Sequence, residues 1–315
     1  MNALEIIVPL AITYTVPLFL IALGGLFSER SGVINIALEG LLGIGAFASA
    51  FVIFEYESIL GASTVYVSLI AAAVAGGLCS LLHAFASISM KADQVVSGTA
   101  INILVPALTI FLARSINKGS GIIPVKGLEL WDVPILSKIP IIGSLFFHNT
   151  YTTTFISIII VIISWYVLYH RPFGLRLRAC GENPQAVDSV GISVVKMRYI
   201  GVIISGILSG LGGGLLLNTL VKEFSTLIFT GLGFLALAAL IFGKWKPWSV
   251  LGASAFFGLA KTVSDIAPLF SGLNQLPSIF LTTFPYVITI IALVLFSKNA
   301  VGPKAAGEPY DVGKR

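Results

Sequence analysis

The chain has 315 residues, of which 57% are hydrophobic and only 10% are charged, and its mean hydropathy is +0.99. A soluble domain carries about 25% charged residues, so this chain cannot cover a globular surface with charge and must use lipid as its main solvent. The net charge of +5 is typical of Lys and Arg gathered in cytoplasmic loops. We therefore expect a protein that is embedded in a lipid bilayer and has no nucleic-acid partner.

Apolar runs along the chain predict an all-α, polytopic membrane protein built as a single transmembrane domain over residues 1–315. A spanning helix needs about 20 mostly apolar residues. The first run has no basic region in front of it and is expected to be a retained helix. Two runs, 98–114 and 231–243, are short and could be broken or re-entrant. The pattern predicts about nine transmembrane helices, within a range of eight to ten, at roughly 5–27, 37–54, 64–90, 98–114, 152–170, 199–221, 231–243, 249–266 and 279–297.

The distribution of Lys and Arg orients these helices, because cytoplasmic loops carry the excess of positive charge. With residues 171–198 inside and the spans alternating, 13 of the 19 Lys and Arg residues are cytoplasmic and five lie outside or near the outer face. This predicts an external N-terminus and a cytoplasmic C-terminus. The loop 115–151 is then external and, from its Pro and Gly residues, a compact cap. The tail 298–315 is cytoplasmic and is expected to be mobile.

Polar residues interrupt the apolar pattern between the first two runs, in the sequence GLFSERSGVINIALEGLLGIGAF from Gly24 to Phe47. Gly32 and the β-branched residues after it favour a break between two helices. Asn35 and Glu39 are four residues apart and share one face of the second helix. Polar groups near membrane depth usually face a bundle interior or an aqueous cavity. The segment predicts a translocation pathway or gate, with a solvated loop at the cytoplasmic boundary as an equal alternative.

Further polar residues lie inside apolar runs. Asn102 and Asn218 could each bind a ligand or a neighbouring helix, and bonding between helices is the commoner case. Lys261 and Asp265, four residues apart, are expected to form a structural ion pair. Gly-rich runs such as SGILSGLGGG favour close helix packing.

A basic polar segment, RPFGLRLRACGENPQAVDSVGISVVKMR, occupies residues 171–198 between two apolar runs. Asn183 can cap a helix, Pro184 is favoured at the first helical position, and Gly191 is a natural stop. The predicted helix has about two turns, and Val187 and Val190 belong to its small apolar face. Such a helix is not stable alone, so it must dock on its own bundle or on a partner, and the residues favour neither.

The sequence offers no chemistry of its own. It contains no GxxxxGK[ST] phosphate loop, so the chain is not expected to hydrolyse ATP by that route. Cys79 and Cys180 form no CxxC motif and the three histidines are scattered, which argues against a disulfide or a zinc site. We therefore expect no catalytic residues and no metal or cofactor bound by this chain.

Four segments together resemble one protein family. They are Gly24 to Phe47, RPFGLRLRACGENPQAVDSVGI, the Gly-rich run that ends in GGLLLN, and GLGFLALAALIFGKWKPW. Over roughly residues 10–297 the chain is similar to the permease subunits of bacterial ABC importers for sugars, branched-chain amino acids and nucleosides. The form SERSGVINIALEG and the short N-terminus look most like the nucleoside-type permeases. Many relatives carry an additional N-terminal span that this sequence lacks.

The resemblance implies a non-enzymatic transport subunit in a bacterial plasma membrane. A second homologous permease would complete the pathway, with this chain as the shorter partner of a heterodimer. An ABC ATPase that binds ATP and Mg²⁺ would dock in the cytoplasm, and an external substrate-binding protein or lipoprotein would deliver the ligand. The coupling helix would comprise Asn183, Pro184, Ala186, Val187, Asp188, Val190 and Gly191. The pathway would involve Asn35, Glu39, Asn102 and Asn218.

Nucleosides are the substrates that the resemblance favours, with sugars or branched-chain amino acids as alternatives. A different class, an ion-coupled secondary transporter, would need ionisable residues at the midplane and discontinuous helices. Only Glu39 and the pair of Lys261 and Asp265 support that alternative.

Overall fold

The computed structural model describes residues 3–269, 277–296 and 301–311, and these residues are mostly helical. Two short strands, β1 (Ile123–Pro124) and β2 (Glu223–Phe224), pair antiparallel. The α-helices of the described ranges are α1 (Ala3–Arg30), α2 (Leu38–Leu60), α3 (Thr64–Ala84), α4 (Gln94–Ile116), α5 (Ile142–Phe146), α6 (Thr152–His170), α7 (Pro172–Glu182), α8 (Pro184–Ser189), α9 (Val194–Leu216), α10 (Leu232–Phe242), α11 (Pro247–Ile266) and α12 (Ser278–Phe296).

Every apolar run predicted from the sequence lies on a helix, and the polytopic all-α fold is confirmed. The runs correspond to α1, α2, α3, α4, α6, α9, α10, α11 and α12. Five stretches of the described residues are long and apolar enough to cross a membrane, and one of them, Leu38–Ser89, contains both α2 and α3. Gly61, with a φ of 57°, turns the chain between these two helices. The number of crossings and their direction stay predictions.

The two runs that are short in sequence have different structures. The run 98–114 lies within α4, which has 23 residues and is about 34 Å long, enough for a hydrocarbon core of about 30 Å. Asp93 caps α4, because its carboxylate accepts hydrogen bonds from the amides of Val95 and Val96. The run 231–243 forms α10, which has only 11 residues, or about 16 Å. It is therefore half the length that a complete crossing needs.

Glycines decide how closely the central helix, α9, approaches its neighbours. It packs against α1, α2 and α3. A Cβ atom added at Gly213 would lie 1.8 Å from the carbonyl oxygen of Leu42 on α2, and one added at Gly210 would lie 2.3 Å from that of Ala72 on α3. Backbones this close leave no room for a side chain, so the close packing predicted for the Gly-rich run is confirmed.

Basic loops meet at one end of the bundle, which we call the basic end. Arg30, at the end of α1, donates hydrogen bonds of 3.1 and 2.9 Å to the carbonyl oxygen of Trp245 in the α10–α11 loop. Its guanidinium lies 3.8 Å from the Glu182 carboxylate at the end of α7. Lys91, between α3 and α4, pairs with Asp311 at 2.9 Å. Loops that the charge rule assigns to one side of the membrane therefore share one end. Three predicted cytoplasmic charges lie outside the described residues: Lys298, Lys314 and Arg315.

The C-terminal tail differs from the expectation of mobility, because its described part, 301–311, is bound to the bundle. The amide of Ala305 donates to the carbonyl oxygen of Gly181 at 2.8 Å, and the amide of Gly307 donates to that of Gly32 at 3.3 Å. Ala305 and Tyr310 are buried. The described part of the tail therefore packs as part of the bundle.

At the opposite end, the loop 115–151 forms the predicted compact cap. Its strand β1 pairs with β2 in a register that puts Ile123 opposite Phe224. The amide of Leu128 donates to the carbonyl oxygen of Asn218 at 2.8 Å, and the Tyr151 hydroxyl donates to that of Thr219 at 3.0 Å. These bonds fix the cap to the turn that follows α9.

A substitution at Gly213 tests the close packing of α9. Replacement by alanine forces a Cβ into the Leu42 carbonyl, and overpacking of this kind costs about 1–3 kcal/mol. We expect Gly213→Ala to lower the melting temperature of the detergent-purified protein. Gly252 on α11 is the matched control, because a Cβ there meets nothing within 4 Å and alanine has the higher helix propensity. Equal melting temperatures for the two variants would contradict the packing.

Candidate functional site

The junction between α1 and α2 is an irregular segment held by side chains from other helices. Gly32 has a φ of 96°, so the break predicted at this residue is confirmed. The amide of Ile34 donates to Gln94 Oε1 at 2.7 Å, and the carbonyl oxygen of Ile34 lies 3.0 Å from His83 Nε2. Irregular backbone at membrane depth is tolerated only where protein or water satisfies it, and here α3 and α4 supply the partners.

Glu39 joins α2 to the half-length helix α10. Its carboxylate is buried, with 6% of the residue exposed. Oε1 accepts a hydrogen bond of 2.8 Å from the amide of Gly231, and Oε2 accepts one of 2.5 Å from the amide of Gly233. Because Glu39 also lies in the first turn of α2, two helix N-termini converge on one carboxylate. Their partial positive charges stabilise an anion there.

Two of the predicted pathway asparagines support the same helix start. Asn35 Nδ2 donates to the Ser205 hydroxyl on α9 at 2.8 Å, and its Oδ1 accepts from the amide of Ala37 at 3.1 Å. Asn102 Oδ1 accepts from the amide of Gly40 at 2.8 Å, and its Nδ2 donates to the carbonyl oxygen of Ile36 at 2.8 Å. The structure thus brings Asn35, Glu39 and Asn102 together around the first turn of α2.

Asn218 lies apart from this cluster, on a π-helical turn, Leu217–Val221, that extends α9. Its Nδ2 donates to the Ser49 hydroxyl and to the carbonyl oxygen of Gly214, both at 2.8 Å. Its Oδ1 is buried and has no hydrogen-bond partner within the described part of the chain. Asn102 and Asn218 thus bond to a neighbouring helix in this conformation, which is the commoner of the two alternatives for them.

Sequence reasoning missed several residues that build the junction. His83, Gln94 and Ser205 contact it directly, and Trp245 Nε1 donates a hydrogen bond of 2.6 Å to the buried carboxylate of Glu29. These partners are separated from the junction by many residues in sequence. The one signal available in the sequence was a polar side chain close to the end of an apolar run. His83 and Gln94 both occupy such positions.

The pair of Lys261 and Asp265 has the structural role predicted for it. The ammonium and carboxylate are 2.8 Å apart, and the Tyr14 hydroxyl of α1 donates to the same carboxylate. The cluster connects α11 to α1 near the end of the bundle opposite the basic end.

The short helix α8 (Pro184–Ser189) has the start and stop predicted for it. Asn183 Oδ1 accepts a hydrogen bond of 3.0 Å from the amide of Ala186, and Gly191 turns the chain with a φ of 78°. The predicted apolar face is divided: Val187 is buried, with 5% exposed, whereas Val190 is 70% exposed. The helix therefore docks on its own bundle through Pro184 and Val187 and keeps Ala186 and Val190 exposed.

An open apolar groove of about 550 Å³ lies between α7 and α8 at the basic end. Leu175 and Val190 line it and are 63% and 70% exposed, with Arg176 and Glu182 among the charged lining residues. On the buried side of α7, burial raises the pKa of the Cys180 thiol to about 11, so this cysteine is unreactive at neutral pH. The groove is therefore an apolar surface at the basic end, where charged residues are concentrated.

Known proteins resemble this chain over nearly its whole length. A family model described as "Branched-chain amino acid transport system / permease component" matches residues 8–296. The guanosine ABC transporter permease protein NupQ of Bacillus subtilis is 48% identical over 314 residues, which cover 99% of this chain and 98% of that protein.

Two further relatives are also named as permeases. The nucleoside ABC transporter permease protein NupC of Lactococcus lactis is 42% identical over 98% of both chains. The guanosine ABC transporter permease protein NupP of Bacillus subtilis is 26% identical over 90% of this chain and 79% of its own length.

A substitution at Glu39 tests its hold on α10. Glutamine removes the charge and can accept only one of the two backbone bonds. A hydrogen bond to a charged group contributes about 1.5–3 kcal/mol, so Glu39→Gln should speed amide hydrogen exchange at the start of α10 about tenfold or more. Glu57→Gln is the control, because it breaks an exposed ion pair with Lys126 far from α10. Unchanged exchange in the Glu39 variant would refute the anchoring role.

Proposed function

The chain belongs to the branched-chain amino acid transport system permease family, and we propose from this membership that it is the permease subunit of an ATP-driven ABC importer for nucleosides. The observation that carries the proposal is the full-length similarity to permeases named for guanosine and for nucleosides. The multi-pass helical fold supports a bacterial plasma membrane location.

The proposed importer contains more than this chain. A second homologous permease completes the pathway, and the support is that NupQ and NupP are both named as guanosine permeases of one organism and both resemble this chain. A separate ABC ATPase binds ATP and Mg²⁺, and this chain binds neither. An external substrate-binding protein or lipoprotein docks on the cap formed by residues 115–151.

We propose α8 as the coupling helix that receives the ATPase, with residues Asn183, Pro184, Ala186, Val187, Asp188, Val190 and Gly191. Its support is the divided apolar face, since Val187 fixes the helix to the bundle while Val190 stays exposed beside Leu175. Exposed apolar patches rimmed by charge mark protein interaction sites. Closure of the ATPase would then push on α8 and, through Val187, on the bundle.

The proposed pathway runs beside the start of α10. This helix ends at the basic end and begins about 16 Å away, close to the middle of a hydrocarbon core of about 30 Å. Transporters build substrate sites from such discontinuous helices at the midplane. In this proposal, Asn35, Glu39 and Asn102 hold the closed arrangement, and Asn218 contributes its side-chain Oδ1, which has no hydrogen-bond partner among the described residues, at the other end of the pathway.

Uptake into proteoliposomes tests the proposed function. The complex of both permeases and the ATPase should accumulate radiolabelled guanosine in the presence of the external binding protein and ATP. An ATPase variant that binds ATP but cannot hydrolyse it is the control and should abolish uptake. Uptake that survives in this control would exclude an ABC importer.

A substitution in the groove tests the coupling role of α8. Val190→Asp puts a charge on its exposed apolar face and should weaken ATPase binding and guanosine uptake without lowering the melting temperature of the permease. Val96→Asp on α4 is the matched control, because Val96 is 66% exposed and lies in a first helical turn, where a carboxylate is tolerated. Normal ATPase binding and uptake with Val190→Asp would show that α8 does not carry the interaction.

A further inference from the structure

Residues 301–311, which we call the C-terminal strap, cross the basic end and contact several of the segments that meet there. The strap begins beside the α10–α11 loop, where a Cβ added at Gly302 would lie 3.2 Å from the Trp245 ring. Its backbone then bonds to α7 at Gly181 and to the α1–α2 junction at Gly32. At Gly307 it turns with a φ of 87° and passes the side chain of Ile34.

One partner of the strap is a buried cation on α9. Arg198 is only 1% exposed, and its Nη1 donates a hydrogen bond of 2.8 Å to the carbonyl oxygen of Glu308. Its Nε and Nη2 have no hydrogen-bond partner in the part of the chain that the structure describes. Nη2 lies against the junction, 2.9 Å from the position of a Cβ on Gly32. The Arg198 guanidinium thus lies between α9 and the junction. Its hydrogen-bond acceptor in the described residues is a carbonyl oxygen of the strap.

The other partner of the strap is α8. The Tyr310 hydroxyl, on a residue that is 8% exposed, lies next to the Asp188 carboxylate of α8 and can donate a hydrogen bond to it. The next residue, Asp311, pairs with Lys91 of the α3–α4 loop at 2.9 Å. Over four residues, from Glu308 to Asp311, the strap therefore connects α8 to α9 on one side and to the α3–α4 loop on the other.

The position of α8 makes this second attachment important. A helix of six residues is not stable alone, and Pro184 and Val187 are the side chains that it buries on the bundle. Because these two residues lie three positions apart on one face of the helix, a push on α8 could rock it about that face. A second point, at Asp188, prevents that rotation and passes the displacement to the strap.

We propose that the C-terminal strap transmits the displacement of α8 to α9 and the α1–α2 junction, with Tyr310 and Arg198 as its positioning residues. The inference rests on the proposed coupling role of α8. The transmitted motion reaches Gly32 and Ile34, and Asn35, next in the chain, bonds to α9. Closure of the partner ATPase would thus move the junction directly, without first deforming the bundle core.

The test compares Tyr310→Phe, which removes only the hydroxyl, with Tyr310→Lys, whose ammonium can reach and pair with Asp188. The first measurement is amide hydrogen exchange in the assembled complex. Loss of a hydrogen bond to a charged group should speed exchange in α8 about tenfold in the Phe variant, and Lys should restore it. The second measurement is the number of guanosine molecules imported per ATP hydrolysed, which should fall severalfold with Phe, at an unchanged hydrolysis rate, and recover with Lys.

Tyr199→Phe is the matched control. It also removes one tyrosine hydroxyl at the basic end, the one that lies 2.6 Å from the Ser89 hydroxyl, but that residue is outside the strap. It should leave both measurements at their wild-type values.

Two outcomes overturn the strap proposal. One is wild-type exchange and a wild-type transport ratio in Tyr310→Phe. The other is an equal loss of both in the Phe and Lys variants, which means that Tyr310 only fills space. Failure of the proposed function is a separate result: the wild-type complex then imports no guanosine with ATP, while exchange in α8 still reports whether the strap holds it.

Discussion

One buried carboxylate determines the architecture around the centre of this molecule. Glu39 lies where the first turns of α2 and α10 meet, and both of its oxygens accept hydrogen bonds from the backbone of α10. A lone carboxylate at membrane depth is costly, and no cation lies within hydrogen-bond distance of it in the described residues. Two helix N-termini supply the compensation instead. The same contact satisfies amides that a half-length helix would otherwise leave unpaired.

The α1–α2 junction extends this principle to its irregular backbone. Side chains from α3 and α4 satisfy its amides and carbonyls, among them His83, Gln94 and Asn102. The strap reaches it from the basic end through Gly32. A segment without regular structure thus becomes the place where most of the bundle is connected. Any movement of α8, α10 or the strap would therefore act on the α1–α2 junction first.

Much of the fold could be predicted from the sequence, because its signals are local. Apolar runs gave the helices, Gly32 gave the break, and Asn183, Pro184 and Gly191 gave the short helix and its ends. What could not be predicted depends on contacts between distant residues. Glu39 bonds to residues 192 and 194 positions away. The burial of Val187 but not Val190 depends on how α8 lies on the bundle, and the ordered tail depends on a surface that folding creates.

For the same reason, only part of the candidate site could be predicted from the sequence. Polarity at membrane depth identified Asn35, Glu39 and Asn102, and they do lie together. Composition could not reveal that their side chains bond to backbone, because the identity of a partner is set by three-dimensional packing.

The backbone contacts of α9 limit how the molecule can change shape. Side chains that interlock can exchange rotamers and let helices slide, but a carbonyl oxygen pressed against a glycine has no such freedom. At Gly213 and Gly210 the backbone of α9 meets those of α2 and α3. We therefore expect these three helices to move together. Opening and closing would then take place at the edge of this group, where α10 is held by the Glu39 carboxylate and α8 by Pro184, Val187 and the strap.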